Sequence, residues 1–227
     1  MKNNSKILSL GKLILIIISA MSISALCFAK DDAKATSQSY SFAKQPFDAI
    51  QLNGAFETTV QVTHQSNIAD VTITASSNLL PYVKVYVKNK TLYVSKRDDW
   101  EPHSFEKIKI MVNTGNLESI KTNGSGNSYI NNIKVNNFVA EINGAGNIIL
   151  QGNSKKLAAK INGSGEIDAK NLITEKAAAT IYGSGNIIAN ATQKIDIKIY
   201  GSGKIEYYGN PQDIEQSING SGKIKAM

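Results

Sequence analysis

Six copies of a short glycine-rich motif, set 18 to 20 residues apart, constrain this chain more than any other feature. They are Asn123-Gly-Ser-Gly-Asn127, Asn143-Gly-Ala-Gly-Asn147, Asn162-Gly-Ser-Gly-Glu166, Tyr182-Gly-Ser-Gly-Asn186, Tyr200-Gly-Ser-Gly-Lys204 and Asn219-Gly-Ser-Gly-Lys223. Self-similarity at a fixed period of this length is the mark of a solenoid. The flanks say which kind. Phe138, Ala140 and Ile142 lead into one motif, and Ile148 and Leu150 leave it. The same alternation surrounds the others, as in Ile195, Ile197 and Ile199 before Ile205 and Tyr207. A period of two means strands with these residues on one face and Glu141, Lys160, Thr180 and Lys198 on the other.

One such coil has nothing to bury its apolar face against. Stacked coils make a continuous inner column, with strands of successive coils paired in parallel at about 4.8 Å. The expected fold is therefore all-β: a parallel β-helix, right-handed by the crossover rule, with an N-terminal cap of β-strands. Its corners are marked by the glycine pairs Gly124 and Gly126, Gly144 and Gly146, Gly163 and Gly165, Gly183 and Gly185, Gly201 and Gly203, and Gly220 and Gly222. A sharp bend needs positive φ, which glycine supplies without a steric cost, and stacked corners leave no room for a Cβ. Both glycines of each pair are expected to serve in this way.

The rest of the chain divides by composition. Residues 1–29 read as a secretory signal peptide: Lys2 and Lys6 precede an apolar run from Leu13 to Ile18, and Cys27-Phe-Ala29 offers a cleavage site. Its removal takes the net charge from +7 to +4 and discards the only cysteine, so no thiol or disulfide chemistry is expected in the mature chain. No transmembrane span is expected there either. The protein should be exported, to the periplasm, the outer-membrane surface or the exterior. Residues 30–45 are polar and read as a flexible tether. Residues 46–120 alternate over Thr58–Thr63, Asp70–Thr74 and Lys107–Val112, with a hairpin at Lys88-Asn-Lys90; they are expected to form the cap, and 121–227 the β-helix.

Phe47-Asp-Ala-Ile-Gln-Leu-Asn-Gly54, Lys88-Asn-Lys-Thr-Leu-Tyr-Val94 and the repeated Asn/Tyr-Gly-Ser-Gly together resemble the auto-transporter adhesin head GIN domain family, over about Phe47 to Met227. The resemblance implies a β-helical envelope or surface protein of bacteria, adhesion as its role, and no catalytic residues. The sequence ends directly after a repeat, so a translocator barrel is not expected within it.

Candidate sites are few. The Gly-x-Gly motifs precede strands and lack the Lys-Ser/Thr of a P-loop, so they are corners rather than phosphate cradles. Asn127, Asn147, Glu166, Asn186, Lys204 and Lys223 would share one column, and its lysines repel calcium. With His64 and His103 the only histidines, a metal site is not expected, nor any cofactor. No basic cluster with interleaved aromatics points to nucleic acid. The first functional reading is a non-catalytic binding or adhesion-type module, with a glycan or an envelope protein as partner. Tyr182 and Tyr200, stacked in the corner column, and Trp100 and His103, in a polar loop, are its candidate contacts. The alternatives are a carbohydrate-active β-helix enzyme of the polysaccharide lyase or glycosidase kind, and a structural envelope protein that self-associates. The enzyme needs two carboxylates across a bond, and only Glu166 and Asp168 share a strand face. Weak homo-oligomerisation through the C-terminal coil is expected, with Ile195, Ile197 and Ile199 partly uncovered at that end.

Overall fold

Alternating apolar residues fold into strands that run from one glycine corner to the next. The computed structural model describes residues 35–97 and 107–227. Residues 1–29, expected to be a signal peptide, and Trp100 and His103 lie outside the described residues. Four long strands form the body: β9 (Asn127–Gly144), β10 (Asn147–Gly163), β11 (Glu166–Gly183) and β12 (Asn186–Gly201). Each pairs in parallel with the next, corner against corner, so that Ile142, Ile161, Ile181 and Ile199 fall in one buried column. Ile148, Ile167, Ile187 and Ile205 fall in a second, on the far side of the corner.

The corners keep the backbone ladder unbroken. Ser164 N donates to Gly144 O at 2.9 Å and Glu166 N to Gly146 O at 3.1 Å, and the other corners repeat this. The two glycines of a corner have different jobs. The first has positive φ, from +127° at Gly183 to +144° at Gly124. The second is Gly126, Gly146, Gly165, Gly185, Gly203 or Gly222, and none of these six has positive φ. The expectation of positive φ at both glycines is therefore corrected at these six positions. The physical reason for glycine there is space alone. A Cβ would lie 2.1 Å from Phe56 O at Gly126, 2.2 Å from Gly146 O at Gly165, 2.6 Å from Gly165 O at Gly185 and 2.7 Å from Gly185 O at Gly203. At Gly222, in the last corner, the obstacle changes. There a Cβ would meet the Ile199 side chain at 2.5 Å, with Gly203 O farther off at 3.0 Å.

The N-terminal half is not a separate cap that leads into the solenoid at residue 121. Strands β2 (Ala49–Asn53) and β3 (Phe56–Val62) form a coil of the same kind, with Asn53 in register with Asn123. On one side they pair in parallel with β8 (Ser119–Gly124) and β9. On the other they pair in parallel with β6 (Thr91–Lys96) and β7 (Ile108–Thr114). The chain thus lays down this coil, builds one flank from the residues that follow, and returns to continue on the other. Capping proper is antiparallel: β5 (Val83–Lys88) covers β6 through a hairpin whose Asn89 and Lys90 both have positive φ, as a type I′ turn needs. On the neighbouring sheet β4 (Ala69–Ser76) covers β7.

Part of the expected tether is also a strand. β1 (Ala35–Ser41) pairs antiparallel with β4 over its whole length. Its Ser37 and Ser39 hydroxyls pair with those of Thr74 and Thr72 at 2.8 and 3.0 Å, and Phe42 beyond it packs edge-on to Phe47. A polar sequence can serve here because an edge strand needs backbone partners more than an apolar face.

At the other end, β12 pairs with β14 (Asp213–Gly220), and β13 (Lys204–Tyr208) with β15 (Lys223–Ala226). Ile195, Ile197 and Ile199 are fully buried beneath β14, against the expectation that they would be uncovered. The exposed large apolar residues of the last coil are Ile214, Ile218 and Met227. Among the described residues no helix is long and apolar enough to cross a membrane.

Candidate ligand-binding face

The sheet that enters each corner runs β5-β6-β2-β8-β9-β10-β11-β12-β14, and its outward side chains form columns along the stack. The column nearest the corner begins as an amide ladder. Asn123 Nδ2 donates to Asn53 Oδ1 at 2.6 Å, Asn143 to Asn123 at 2.8 Å, and Asn162 to Asn143 at 2.6 Å. Asn123 and Asn143 each use one donor and one acceptor along the axis, so the inner rungs are joined without help from the backbone.

The ladder passes into Tyr182 and Tyr200. Their rings are 4.8 Å apart at the centroids and within 4° of parallel. The two candidate tyrosines are therefore brought together, but not as two open platforms, since each covers a face of the other. Lys160, one coil earlier, puts its ammonium 5.3 Å from the Tyr182 ring centre. What the pair offers to solvent is a rigid, half-exposed wall. A second stacked pair, Tyr86 and Tyr93 at 5.1 Å, stands on the same sheet at its capped end.

Two positions before the ladder comes a column in which every side chain but Thr180 is long: Tyr93, Gln51, Lys121, Glu141, Lys160, Thr180 and Lys198. Two positions earlier again the residues are small: Thr91, Ala49, Ser119, Val139, Ala158 and Ala178. Beyond them, Lys156, Lys176 and Lys194 stand in register. Short side chains between long ones make a trough along the axis. At its capped end the trough encloses about 200 Å³ between Tyr93, Gln51, Lys121 and Val139. In the next coil the floor position passes to Asp196, in register with Ala178.

A larger concavity of about 510 Å³ lies on the return side of the coils, lined by Lys134, Asn153, Lys155, Ile173 and Glu175. Its one carboxylate has no acidic companion in the lining. Glu166 and Asp168 do share a strand face, but one coil on they meet Asn186 and Ile188. Asp168 is committed to its own turn, accepting from Lys170 N at 2.9 Å. No group of three or more His, Cys, Asp or Glu able to hold a metal occurs among the described residues. Sequence reasoning found the corner column but not the trough. Reading the outward positions two and four before each corner down the repeat would have shown it.

No curated protein matches the chain in sequence. Solved structures share its fold, three of them as follows. A putative adhesin from Bacteroides fragilis is 25% identical, with a TM-score of 0.70 over 86% of this chain and 98% of that one. A putative lipid binding protein from Parabacteroides distasonis is 23% identical, at a TM-score of 0.55 over 86% and 98% of the two chains. A putative adhesin from Parabacteroides merdae is 21% identical, at 0.50 over 88% and 98%. These last two show likeness of fold alone. A family described as "putative auto-transporter adhesin, head GIN domain" matches residues 46–211. With that match over most of its length, and with the corner glycines stacked as the repeat requires, the chain belongs to the auto-transporter adhesin head GIN domain family.

Proposed function

We propose that this chain is an exported, non-catalytic adhesion-type module of the bacterial envelope, and that it holds a glycan along the trough of its outer sheet. The observation that carries the reading is the trough itself: a floor of Ala49, Ser119, Ala158 and Ala178 between rows of polar and aromatic side chains, repeating at the spacing of the coils. That spacing, about 4.8 Å, is comparable to the length of one sugar unit in an extended polysaccharide. Amide, hydroxyl and ammonium groups in fixed columns suit hydroxyl-rich ligands, and the stacked tyrosines add rigid aromatic area at little entropic cost. The family name supports adhesion, and the leader motif at residues 1–29 supports export. Trp100 and His103 remain candidate contacts from the sequence.

A glycan array probed with the purified chain tests the reading. Binding to a subset of glycans without their cleavage is expected, and Ala158→Trp should abolish it. Ala158 is exposed, so a bulky replacement fills the trough floor without entering the core. Absence of any glycan binding, or cleavage of the bound glycan, would overturn the proposal.

A further inference from the structure

The lysines of the outer sheet fall into two classes. Lys121 pairs with Glu141 at 3.2 Å, Lys198 with Asp196 at 2.9 Å, and Lys194 with Asp213 at 2.9 Å and with Glu215. Lys156, Lys160 and Lys176 have no carboxylate within ion-pair distance among the described residues. These three surround one stretch of the trough. Lys156 and Lys176 are neighbours in register on one bank, Ala158 and Ala178 form the floor between the banks, and Lys160 stands on the other bank against Tyr182. Of the acids on this sheet, Glu141 is engaged by Lys121 and Asp196 by Lys198, and Glu175, next to Lys176 in sequence, lines the concavity on the return side.

Like charges placed directly opposite on adjacent strands are destabilising. The sheet relieves this at Lys194 with two acids and leaves it unrelieved at Lys156 and Lys176. A small-floored strip with three ammonium groups outside any ion pair has as its chemical complement a ligand that carries anions at the coil spacing. Resting on the glycan reading above, we infer that the ligand is a linear acidic polysaccharide, with a carboxylate or sulfate on successive sugars. Its chain lies along the solenoid axis. Its anions meet Lys156 and Lys176 on one bank and Lys160 on the other, while a sugar ring rests over Ala158 and Ala178 beside the edge of Tyr182. An anionic membrane shares the charge but not the shape, because a bilayer surface cannot follow a trough between side-chain rows.

The probe is polygalacturonate, with dextran as the neutral polymer and phosphatidylglycerol vesicles as the anionic surface. The full chain should bind polygalacturonate, not dextran or vesicles, and affinity should fall with added salt. Replacing Lys156, Lys160 and Lys176 together with glutamine should cost roughly tenfold in affinity, since exposed ion pairs are individually weak. The matched triple Lys109→Gln, Lys223→Gln and Lys225→Gln changes net charge equally on the opposite sheet and should leave binding unchanged. Should the first triple fail to fold, Lys156→Gln and Lys176→Gln singly are each expected to lose part of the affinity. Equal loss in both triples would show binding by net charge and overturn the inference, as would preference for vesicles. Array binding to neutral glycans with none to polygalacturonate would overturn it and leave the glycan reading standing. No binding to any glycan would overturn both.

Discussion

Replacing Gly165 with alanine separates a steric requirement from a conformational one. Because Gly165 is not in the left-handed region, alanine there is not strained by its own backbone. Were the corner open, the change would stabilise the fold by about 0.4–1 kcal/mol through the unfolded chain. The stacked corner reverses the sign. The added Cβ would lie 2.2 Å from Gly146 O and 3.0 Å from Ile142 Cγ2. The corner must withdraw, which loosens the bonds of Ser164 N to Gly144 O and Glu166 N to Gly146 O. At about 0.5–1.5 kcal/mol net per hydrogen bond, the loss is roughly 1–3 kcal/mol, before any strain passed to the next coil. For a chain of this size that lowers the melting temperature by about 2–4 °C per kcal/mol. Gly163→Ala should cost more, since it meets Gly144 O at 2.1 Å and also requires φ of +139°. Ser164→Ala is the internal control, because Ala145 already holds the equivalent place. Thermal denaturation followed by circular dichroism reads all three. A Gly165→Ala protein that melts at or above the wild-type temperature would refute the close stacking of corners.

Three further outcomes are expected. Thr122 is buried with its hydroxyl unpaired, between Leu52 and Ile142 in its column, so Thr122→Val should raise stability by about 1 kcal/mol in chemical denaturation; a lower midpoint would show that the hydroxyl has a partner. Asn143 joins two rungs of the amide ladder, so Asn143→Ala should cost roughly 1–2 kcal/mol by the same measurement, and Asn219→Ala, for which no side-chain rung is formed, should cost less. Lys204 hydrogen-bonds Glu206 and holds its carboxyl below the ordinary glutamate range. A depressed folded value means this contact stabilises above the ordinary range and is lost as pH falls through the folded value. Titration of Glu206 by nuclear magnetic resonance should show the depression, and Lys204→Gln should remove it.

How far the sequence alone reaches depends on whether a feature is written at the repeat period. The inner columns, the corner glycines and the Asn/Tyr column are legible because each recurs every 18 to 20 residues, and parallel stacking turns recurrence into contact. The trough is written at the same period, but only in outward positions whose identities vary from Ser119 to Val139 to Ala158. β1 escapes notice because its residues are small and polar; its order comes from the hydroxyls and backbone of β4, far away in sequence. The division of labour within each corner, between Gly163 and Gly165 or between Gly183 and Gly185, depends on backbone angles that an identical residue type does not encode. The burial of Ile195, Ile197 and Ile199 follows from β14, whose own apolar residues are interrupted by Gln216 and so read as an unfinished strand.

The coil formed by β2 and β3 has a consequence for assembly. It is shared by two growth directions: its neighbours on one flank, β6 and β7, and on the other, β8 and β9, are both synthesised after it. A solenoid wound turn by turn from one terminus always exposes a single growing edge. This one begins with an inner turn whose two edges wait for later sequence, and the flank towards the cap must be filled by a detour through residues 63–118 before the main stack resumes. Trimming coils from the C-terminal side uncovers only the last remaining turn and leaves the others with the neighbours they had. Removing residues 49–62 takes the keystone from between two arms, and neither arm can then close on the other without a new register.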